Sequence, residues 1–336
     1  PISLNDPNPP AVPVAANNGP VCSGNNLNLT ASSATPGVSY SWSGPAGFSS
    51  NQQNPVISNI QLNRAGTYSV TASLNGCVSA AASTSVVINP TPVLTATANS
   101  PVCENSSFQL NGTVIPAGGI VVWSGPNGFN ATGLNASIAN ASPAASGTYT
   151  LTSALNGCAA VPATVNVLVR PTPVINNTVV TQPTSCTVAD GSITLQGLTA
   201  STTYQINYTF NGNAQTRNLT ANASGHVVIS GLAPGSYTNI RVTLNGCVSN
   251  NANDATLVAP NPPPTPVAAN NGPVCTGSNL QLSATSTATG ITYNWTGPNG
   301  FSSNQQNPVL TNVTTNNAGI YTVTITQNGC VSAPAT

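Results

Sequence analysis

The spacing of the eight cysteines constrains the fold of this 336-residue chain more than any other feature. In consecutive pairs they are separated by 55, 55, 61 and 55 positions. Each first cysteine precedes a stretch of alternating apolar and polar residues, and each second one follows an Asn-Gly turn. A loop of this length, closed by a disulfide, contributes roughly 4 kcal/mol to stability. We therefore predict four repeats, each with one internal disulfide: Cys22–Cys77, Cys103–Cys158, Cys186–Cys247 and Cys275–Cys330.

A second pattern recurs in repeats one, two and four. A tryptophan lies 20 positions after the first cysteine, and a tyrosine lies nine positions before the second. Short alternating runs between Gly, Pro and Asn turns predict β-strands, and no segment has the periodicity of a long helix. The sequence thus predicts an all-β fold whose core is marked by Trp42, Trp123, Trp295, Tyr68, Tyr149, Tyr237 and Tyr321.

These segments resemble a known family. The tryptophan strand, together with RAGTYSV, ASGTYTL and NAGIYTV, resembles the immunoglobulin-like pattern leading into strand F. The third repeat, with CTVADGSITLQGL and ISGLAPGSYTNIRVTLNGC, resembles the SprB-type repeats of gliding-motility adhesins. The whole chain is similar to the immunoglobulin-like arrays of large Bacteroidetes surface proteins. This resemblance implies a tandem array of immunoglobulin-like β-sandwich domains, secreted by the type IX route, that forms an extracellular stalk at the cell surface.

The chain departs from the antibody-type pattern at one pair of positions. The strand-F cysteine is replaced by Val70, Leu151 or Val323, and its partner position holds a small residue. We therefore expect apolar packing in place of the usual bridge between the sheets. The small residues are Ala31, Gly112 and Ala284.

Proline-rich linkers (INPTPVL, VRPTPVI and APNPPPTPV) separate the repeats and favour extended, semi-rigid connections. They predict a jointed rod. The expected divisions are the last strand and linker of a preceding repeat (1–10), immunoglobulin-like repeats (11–92 and 93–173), a SprB-like sandwich (174–265), and an immunoglobulin-like repeat that lacks its last strand (266–336).

The first residues suggest two interpretations, which the sequence leaves open. DPNPPAVPVAANNGPVC at 6–22 matches APNPPPTPVAANNGPVC at 259–275, an offset of 253 residues. In the first interpretation, the chain is a window of a longer array with a 253-residue super-repeat. In the second, Ile2 to Leu4 of one chain supplies the last strand of repeat four in another, which makes a filament by strand donation.

The small number of charged residues excludes some classes of binding partner. Only eight residues carry a formal charge and none is lysine, so the chain has no basic surface for nucleic acid. No run of about 18 apolar residues is present, and we expect no membrane insertion. The expected partners are other copies or neighbouring repeats of the same array, with surface glycans as a further class. With so few charges, stability should change little between pH 5 and 9.

The sequence gives no catalytic constellation. His226 lies in an alternating strand without an acidic partner nearby in sequence, and C-x-x-C metal spacing is absent. Asp190 and Asp254 fall in one repeat and could share a calcium ion, although the Asp-Gly pair also favours a simple turn. We predict no enzyme activity, no metal and no cofactor.

One polar stretch suggests a ligand loop. YSWSGPAGFSSNQQNP at 40–55 returns as YNWTGPNGFSSNQQNP at 293–308. Its Gly-Pro-x-Gly segment predicts a type I turn, after which Phe48, Phe129 and Phe301 cover the edge of the core. Amide side chains can bind sugar hydroxyls, which would make the chain a carbohydrate-binding module. The second repeat has a different sequence here, which favours a scaffold role. The candidate ligand residues are Gln52, Gln53, Gln305 and Gln306.

Overall fold

The computed structural model describes residues 8–336, so the predicted donor segment Ile2 to Leu4 lies outside the described residues. The chain divides into two compact units, Pro1–Pro171 and Thr172–Thr336. Each unit contains two of the four repeats. In the described part, no helix has the length and apolar character needed to cross a membrane.

The first repeat contains ten strands: β1 (Val14–Asn17), β2 (Val21–Cys22), β3 (Leu27–Ser32), β4 (Ser39–Gly44), β5 (Phe48–Ser50), β6 (Val56–Ile57), β7 (Gly66–Leu74), β8 (Cys77–Val78), β9 (Ala82–Val86) and β10 (Ile88–Asn89). One sheet has the order β1-β3-β6, and the other has the order β5-β4-β7-β8 with β9 also paired to β7. Strands β10 and β2 form a separate parallel pair. Buried residues of both sheets form one core, as in an immunoglobulin-like sandwich.

The second repeat has the same arrangement: β11 (Val93–Ala98), β12 (Val102–Cys103), β13 (Phe108–Ile115), β14 (Ile120–Ser124), β15 (Asn130–Thr132), β16 (Asn135–Ile138), β17 (Gly147–Leu155), β18 (Cys158–Ala159), β19 (Ala163–Val167) and β20 (Val169–Arg170). Sheet β11-β13-β16 faces sheet β15-β14-β17-β18, in which β17 also pairs with β19. Strands β12 and β20 form the parallel pair.

The third repeat is a sandwich of eight strands: β21 (Asn177–Thr181), β22 (Gly191–Gln196), β23 (Thr203–Phe210), β24 (Asn213–Thr220), β25 (Val227–Leu232), β26 (Gly235–Leu244), β27 (Cys247–Val248) and β28 (Ala255–Leu257). Sheet β21-β22-β25 packs on sheet β24-β23-β26-β27, in which β28 also pairs with β26.

The fourth repeat has seven strands: β29 (Val267–Asn270), β30 (Leu280–Thr285), β31 (Thr292–Thr296), β32 (Ser302–Ser303), β33 (Val309–Leu310), β34 (Thr322–Gln327) and β35 (Cys330–Val331). Its sheets have the orders β29-β30-β33 and β32-β31-β34-β35. Short 3-10 turns of the chain lie at Pro45–Gly47, Leu62–Arg64, Pro126–Gly128, Pro143–Ala145, Pro298–Gly300 and Thr315–Asn317.

The predicted core markers lie between the sheets. All three tryptophans are buried, as are Tyr68, Tyr149 and Tyr237, whereas Tyr321 is half-buried. Each tyrosine donates its hydroxyl to the backbone carbonyl four residues earlier, the arrangement known as the tyrosine corner. For example, Tyr68 donates to Arg64 O at 2.9 Å and Tyr321 donates to Asn317 O at 2.8 Å. These bonds fix the entry into the central strand of each sandwich.

The tyrosine corners predict a loss of stability at high pH. Burial raises the pKa of Tyr68, Tyr149 and Tyr321 above the ordinary value of 10.0. As pH rises above about 10, the unfolded chain loses these protons while the folded chain retains them, so the free energy of unfolding falls. Thermal melts monitored by circular dichroism should change little between pH 5 and 9 and shift downward above pH 10. A melting temperature that rose above pH 10 would contradict this expectation.

The position of the missing inter-sheet bridge is filled by matched side-chain volumes. Ala31 and Val70 are both buried in the core of repeat one, whereas in repeat two the Leu151 side chain lies next to Gly112. A Cβ added at Gly112 would lie 2.5 Å from Leu151 Cδ2 and 3.1 Å from the carbonyl oxygen of Leu134. The small residue and the large one therefore compensate for each other.

This compensation can be tested with a double-mutant cycle. Gly112→Ala should destabilise the second repeat by about 1–3 kcal/mol, because the added methyl overfills the core. In the Leu151→Val background, which reproduces the pair of repeat one, the same change should cost much less. Urea denaturation of the four proteins gives the coupling energy. Equal costs in the two backgrounds would refute the pairing.

Candidate functional site

The second cysteine of each repeat lies directly after a tight β-hairpin turn. In repeat one, Asn75 and Gly76 both have positive φ, at 50° and 87°, and Leu74 pairs with Cys77 across the hairpin. This backbone requires the Asn-Gly sequence and corresponds to a type I′ turn. The same two-residue turn occurs in the other repeats at 156–157, 245–246 and 328–329. The Asn-Gly-Cys turn thus presents a cysteine at one end of every sandwich.

The first cysteine of repeat one lies at the opposite end. Cys22 in β2 pairs with Asn89 in β10. Strand β10 comes directly after β9, and Val86 at the end of β9 pairs with Gly66 at the start of β7. Cys77 instead lies beside Leu74, at the end of β7. At about 3.3 Å per residue, the two ends of β7 are roughly 25 Å apart. A disulfide requires about 4.4–6.8 Å between Cα atoms, so these two cysteines cannot be bonded to each other.

The predicted internal disulfides are therefore wrong. Cys22 is bonded to Cys158, with Cα atoms 5.5 Å apart, and Cys186 is bonded to Cys330, with Cα atoms 5.0 Å apart. These bonds exclude all four predicted pairs. Cys103 and Cys247 are also disulfide-bonded, and Cys275 has an exposed free thiol. In Cys22–Cys158 and Cys186–Cys330, the first cysteine of one repeat is thus bonded to the hairpin cysteine of the next.

Hydrogen bonds reinforce the junction between repeats one and two. Asn89 donates its side-chain amide to the carbonyl of Asn156 in the next hairpin (3.0 Å). Cys158 Sγ lies 3.9 Å from Asn89 O, and Cys158 is almost fully buried. Within repeat one, Thr91 of the linker donates its hydroxyl to Ser23 O (2.7 Å). The linker, the hairpin and the disulfide therefore form one connected structure.

The junction between repeats three and four has equivalent contacts. The amide of Cys186 donates to Asn328 O (3.2 Å). Pro260 O lies 3.5 Å from Cys186 Sγ and 3.7 Å from Cys330 Sγ. A Cβ at Gly329 would lie 2.4 Å from Thr187 Oγ1, so the hairpin glycine also permits close approach of the two repeats.

A buried serine stabilises the hairpin that carries the cysteine. Ser79 Oγ accepts a hydrogen bond from the Ala72 amide (2.9 Å) and donates to Ala80 O (2.8 Å). Ser249 and Ser332 make the same pair of bonds in repeats three and four. In repeat two the serine is on the other strand: Ser153 Oγ is buried and has no hydrogen-bond partner among the described residues.

Substitution by alanine should have opposite effects on stability at Ser79 and at Ser153. Ser79→Ala leaves the buried Ala72 amide unsatisfied and should cost about 1–3 kcal/mol. Ser153→Ala removes an unsatisfied hydroxyl and should be neutral or slightly stabilising. Chemical denaturation of the two variants and the parent measures both effects. A stability loss of equal size in both variants would contradict this assignment.

The proposed ligand loop is tied to the scaffold. Gln53 donates its side-chain amide to Ala31 O (2.8 Å), and Asn54 Oδ1 accepts from the Ala31 amide (3.1 Å). Trp42 Nε1 donates to Gln53 O (3.2 Å). Gln306 and its neighbours repeat these bonds in the fourth repeat. The side-chain amides of Gln53 and Gln306 are thus used structurally, although all four glutamines are exposed, and glycan binding stays a prediction.

In the second repeat, a backbone carbonyl makes the hydrogen bonds that hold the equivalent strand and tryptophan. Leu134 O accepts from the Gly112 amide (2.8 Å) and from Trp123 Nε1 (3.1 Å). Different sequences therefore hold the strand and the tryptophan in one geometry. This equivalence explains why NATGLNAS replaces SSNQQNP in repeat two.

The turn before this loop differs from the predicted type I turn. Ala46 has φ 51° and Gly47 has φ 70°, so the residue after proline is left-handed. Asparagine, which tolerates this conformation, is found at the equivalent positions 127 and 299. Beyond the turn, the Phe48 ring meets the edge of Tyr68 with centroids 5.4 Å apart.

Asp190, one of the two acidic residues of repeat three, is hydrogen-bonded within its own loop. Asp190 accepts hydrogen bonds from the hydroxyl and the amide of Thr184, and these bonds lower the pKa of its carboxyl group. Across residues 8–336, no group of three or more His, Cys, Asp or Glu side chains is arranged to hold a metal ion. Asp190 therefore acts as a turn residue.

Comparison with known proteins gives one family match, to the first repeat, and a set of similar solved structures. Residues 10–90 match the family model described as "Ig-like domain CHU_C associated". No curated protein matches the sequence. Similar solved structures include Sidekick-1 immunoglobulin domains 1–5 (16% identity, 94% of this chain and 76% of that chain, TM-score 0.32) and the three N-terminal domains of the bacteriophage RB49 outer capsid protein Hoc (12% identity, 75% and 99%, TM-score 0.34). The chain is a tandem array of immunoglobulin-like sandwich domains, the first of which matches the CHU_C-associated family model.

Proposed function

We propose that this chain is a stalk segment of a large secreted adhesin or extracellular filament at a bacterial cell surface. The observation that carries this proposal is the bonding of one repeat to the next by Cys22–Cys158 and Cys186–Cys330. Disulfides are typical of exported proteins. The similarity of the third repeat to SprB-type repeats supports a gliding-motility adhesin of the Bacteroidetes as the parent protein.

The proposed mechanism is mechanical. When tension is applied to the ends of a chain, a disulfide transmits the force directly between its two cysteines. Residues between Cys22 and Cys158, and between Cys186 and Cys330, are therefore outside the load path while the bonds are intact. A stalk built in this way keeps most of the residues of its sandwiches out of the load path.

Negative-stain electron microscopy of the purified chain tests this proposal. A stalk segment should give beaded rods of uniform length, and the Cys22→Ser/Cys158→Ser double variant should give rods that bend at the first junction. Compact, round particles would contradict the stalk function. The expected partners remain neighbouring repeats or copies of the same array.

A second candidate function is a filament subunit that polymerises by strand donation. An internal correspondence favours it: at the 253-residue offset, Ile2 and Leu4 match Ala255 and Leu257, the buried residues of β28, which pairs with β26 of its own sandwich. Ile2 to Leu4 of a neighbouring copy would supply the strand. Electron microscopy of the full chain beside a version without residues 1–10 distinguishes the two functions, because only strand donation gives fibres that depend on those residues.

A further inference from the structure

A long strand lies at the edge of the larger sheet of repeat three. Strand β24 pairs with β23 along all eight of its residues, and the structure of residues 8–336 shows β23 as its only strand neighbour. The equivalent edge strands β5, β15 and β32 have three, three and two residues. Backbone N–H and C=O groups along a free edge form a template for a further strand, so β24 is a surface at which copies could join.

Most features that protect such an edge are missing from β24. Its sequence, NAQTRNLT, contains neither proline nor lysine, and its pairing with β23 runs without a bulge. The chain has no net charge, so general repulsion between copies is weak. The one charged side chain within β24 is that of Arg217.

Arg217 lies on the inner face of the sheet. It is directly opposite Ile206 on β23, and Leu219, two residues further along β24, is directly opposite Tyr204. Ile206 and Tyr204 are buried in the core of the repeat, and residues directly opposite each other share a face. A cation near the centre of the edge strand is therefore directed towards the interior of the sandwich.

The guanidinium group spans the gap between the edges of the two sheets. Arg217 Nη1 donates to the carbonyl of Ser230 (2.8 Å) in β25, the edge strand of the other sheet. Arg217 Cζ lies 5.9 Å from the centre of the Tyr208 ring, within range of a cation–π interaction. The side chain is half-buried and its bond to Ser230 is exposed, so the charge keeps contact with water. A strand laid along β24 would remove that contact.

A second copy would bring the same charge to this place. Two β24 strands paired about a two-fold axis place inner residues opposite inner residues. In the register centred on Arg217, the two arginines are directly opposite, with about 5 Å between Cβ atoms. In the registers centred one residue to either side, they lie on the diagonal, about 7–8 Å apart. Residues 213–232 include no acidic residue that could neutralise them, so pairing would cover two like charges at a high cost in free energy.

We propose that Arg217 is a guard residue, whose inward charge keeps β24 from pairing with β24 of a second copy. The equivalent edges of the other repeats are protected by their short length, which is why the inward arginine occurs with the long edge. This role follows from the fold of repeat three and does not depend on the proposed stalk function. It lets an almost uncharged chain stay separate from its neighbours along this edge.

The test compares variants of the whole chain that differ in this charge. Arg217→Gln keeps a hydrogen-bonding side chain without the charge, and Arg217→Thr introduces an uncharged residue that favours strands. Sedimentation velocity measures association, and amide hydrogen exchange of residues 213–220 reports whether β24 is the contact. Both variants should associate at least about tenfold more tightly than the parent, with slower exchange in 213–220 as concentration rises.

Two further variants serve as matched controls, and circular dichroism confirms that each protein is folded. Arg217→Lys keeps the charge at the edge and should behave like the parent. Arg241→Gln removes the same charge from β26, which lies between β23 and β27, and should also behave like the parent.

Several results would overturn the guard role. Unchanged association in both Arg217→Gln and Arg217→Thr would show that the charge does not restrain the edge. Tighter association without slower exchange in 213–220 would place the new contact elsewhere. Equally tight association of Arg217→Lys and Arg217→Gln would show that the charge is not what keeps the edge free. Protection of 213–220 that already grows with concentration in the parent would show that β24 is unguarded.

Discussion

Pulling the oxidised chain from its two ends should release only a small part of its length. The Cys22–Cys158 bond spans 136 positions and the Cys186–Cys330 bond spans 144. At ~3.3 Å per extended residue, they hold back about 450 Å and about 475 Å of chain. Single-molecule force spectroscopy of Cys22→Ser/Cys158→Ser should therefore show additional contour length of at most about 450 Å, because the disulfide of Cys103, which lies within this loop, still restrains part of it.

Matched variants make this prediction specific. Cys186→Ser/Cys330→Ser should likewise add contour length, at most about 475 Å, because the disulfide of Cys247 still restrains part of the second loop. Cys275→Ser removes a thiol that forms no disulfide within the chain and should extend like the parent. Full extension of the oxidised parent would contradict the proposed load path.

Loss of the same bond should also cause a large loss of thermodynamic stability. In the chain-entropy model, a closed loop of 136 residues lowers the entropy of the unfolded state by an amount worth about 5 kcal/mol. Cys22→Ser/Cys158→Ser should therefore lower the free energy of unfolding of the first unit by about that amount. Guanidinium denaturation monitored by tryptophan fluorescence measures the change.

Because both units contain tryptophan, this experiment needs proteins in which only the first unit retains it. With Trp295→Phe in every protein, the remaining signal comes from Trp42 and Trp123, both in the first unit. Cys275→Ser in this background is the control and should leave the transition in place. A loss below about 1 kcal/mol in the double variant would show that the bond contributes little to the stability of the first unit.

Local sequence patterns predicted the sandwiches, because strands, hairpin turns and tyrosine corners depend on residues that are close together in the sequence. Alternation defines strands, Asn-Gly defines a type I′ hairpin, and a tyrosine nine positions before the cysteine marks the corner. The matched pair Gly112 and Leu151 was also visible as a departure from the antibody-type pattern. The left-handed backbone conformation of Ala46 was not visible in the sequence, because alanine does not indicate that conformation.

The disulfide pairing could not be obtained from spacing. Because the repeats have similar lengths, bonds within repeats and bonds between neighbours both give regular separations. The deciding fact is the distance along β7, which places the first cysteine and the hairpin cysteine at opposite ends of a sandwich. Sequence analysis predicted that all eight cysteines form disulfides within repeats, whereas the bonds Cys22–Cys158 and Cys186–Cys330 join neighbouring repeats and Cys275 has a free thiol. It also favoured a scaffold role for the SSNQQNP loop, but the bonds of Gln53 and Asn54 became visible only in the fold.

Disulfide mapping of the natively purified protein is the most direct test of covalent bonding between neighbouring repeats. The protein would be alkylated, digested without reduction and examined by mass spectrometry for linked peptides. The account predicts peptides that join Cys22 to Cys158 and Cys186 to Cys330. Peptides that join Cys22 to Cys77, or Cys275 to Cys330, would place the bonds within repeats and contradict it.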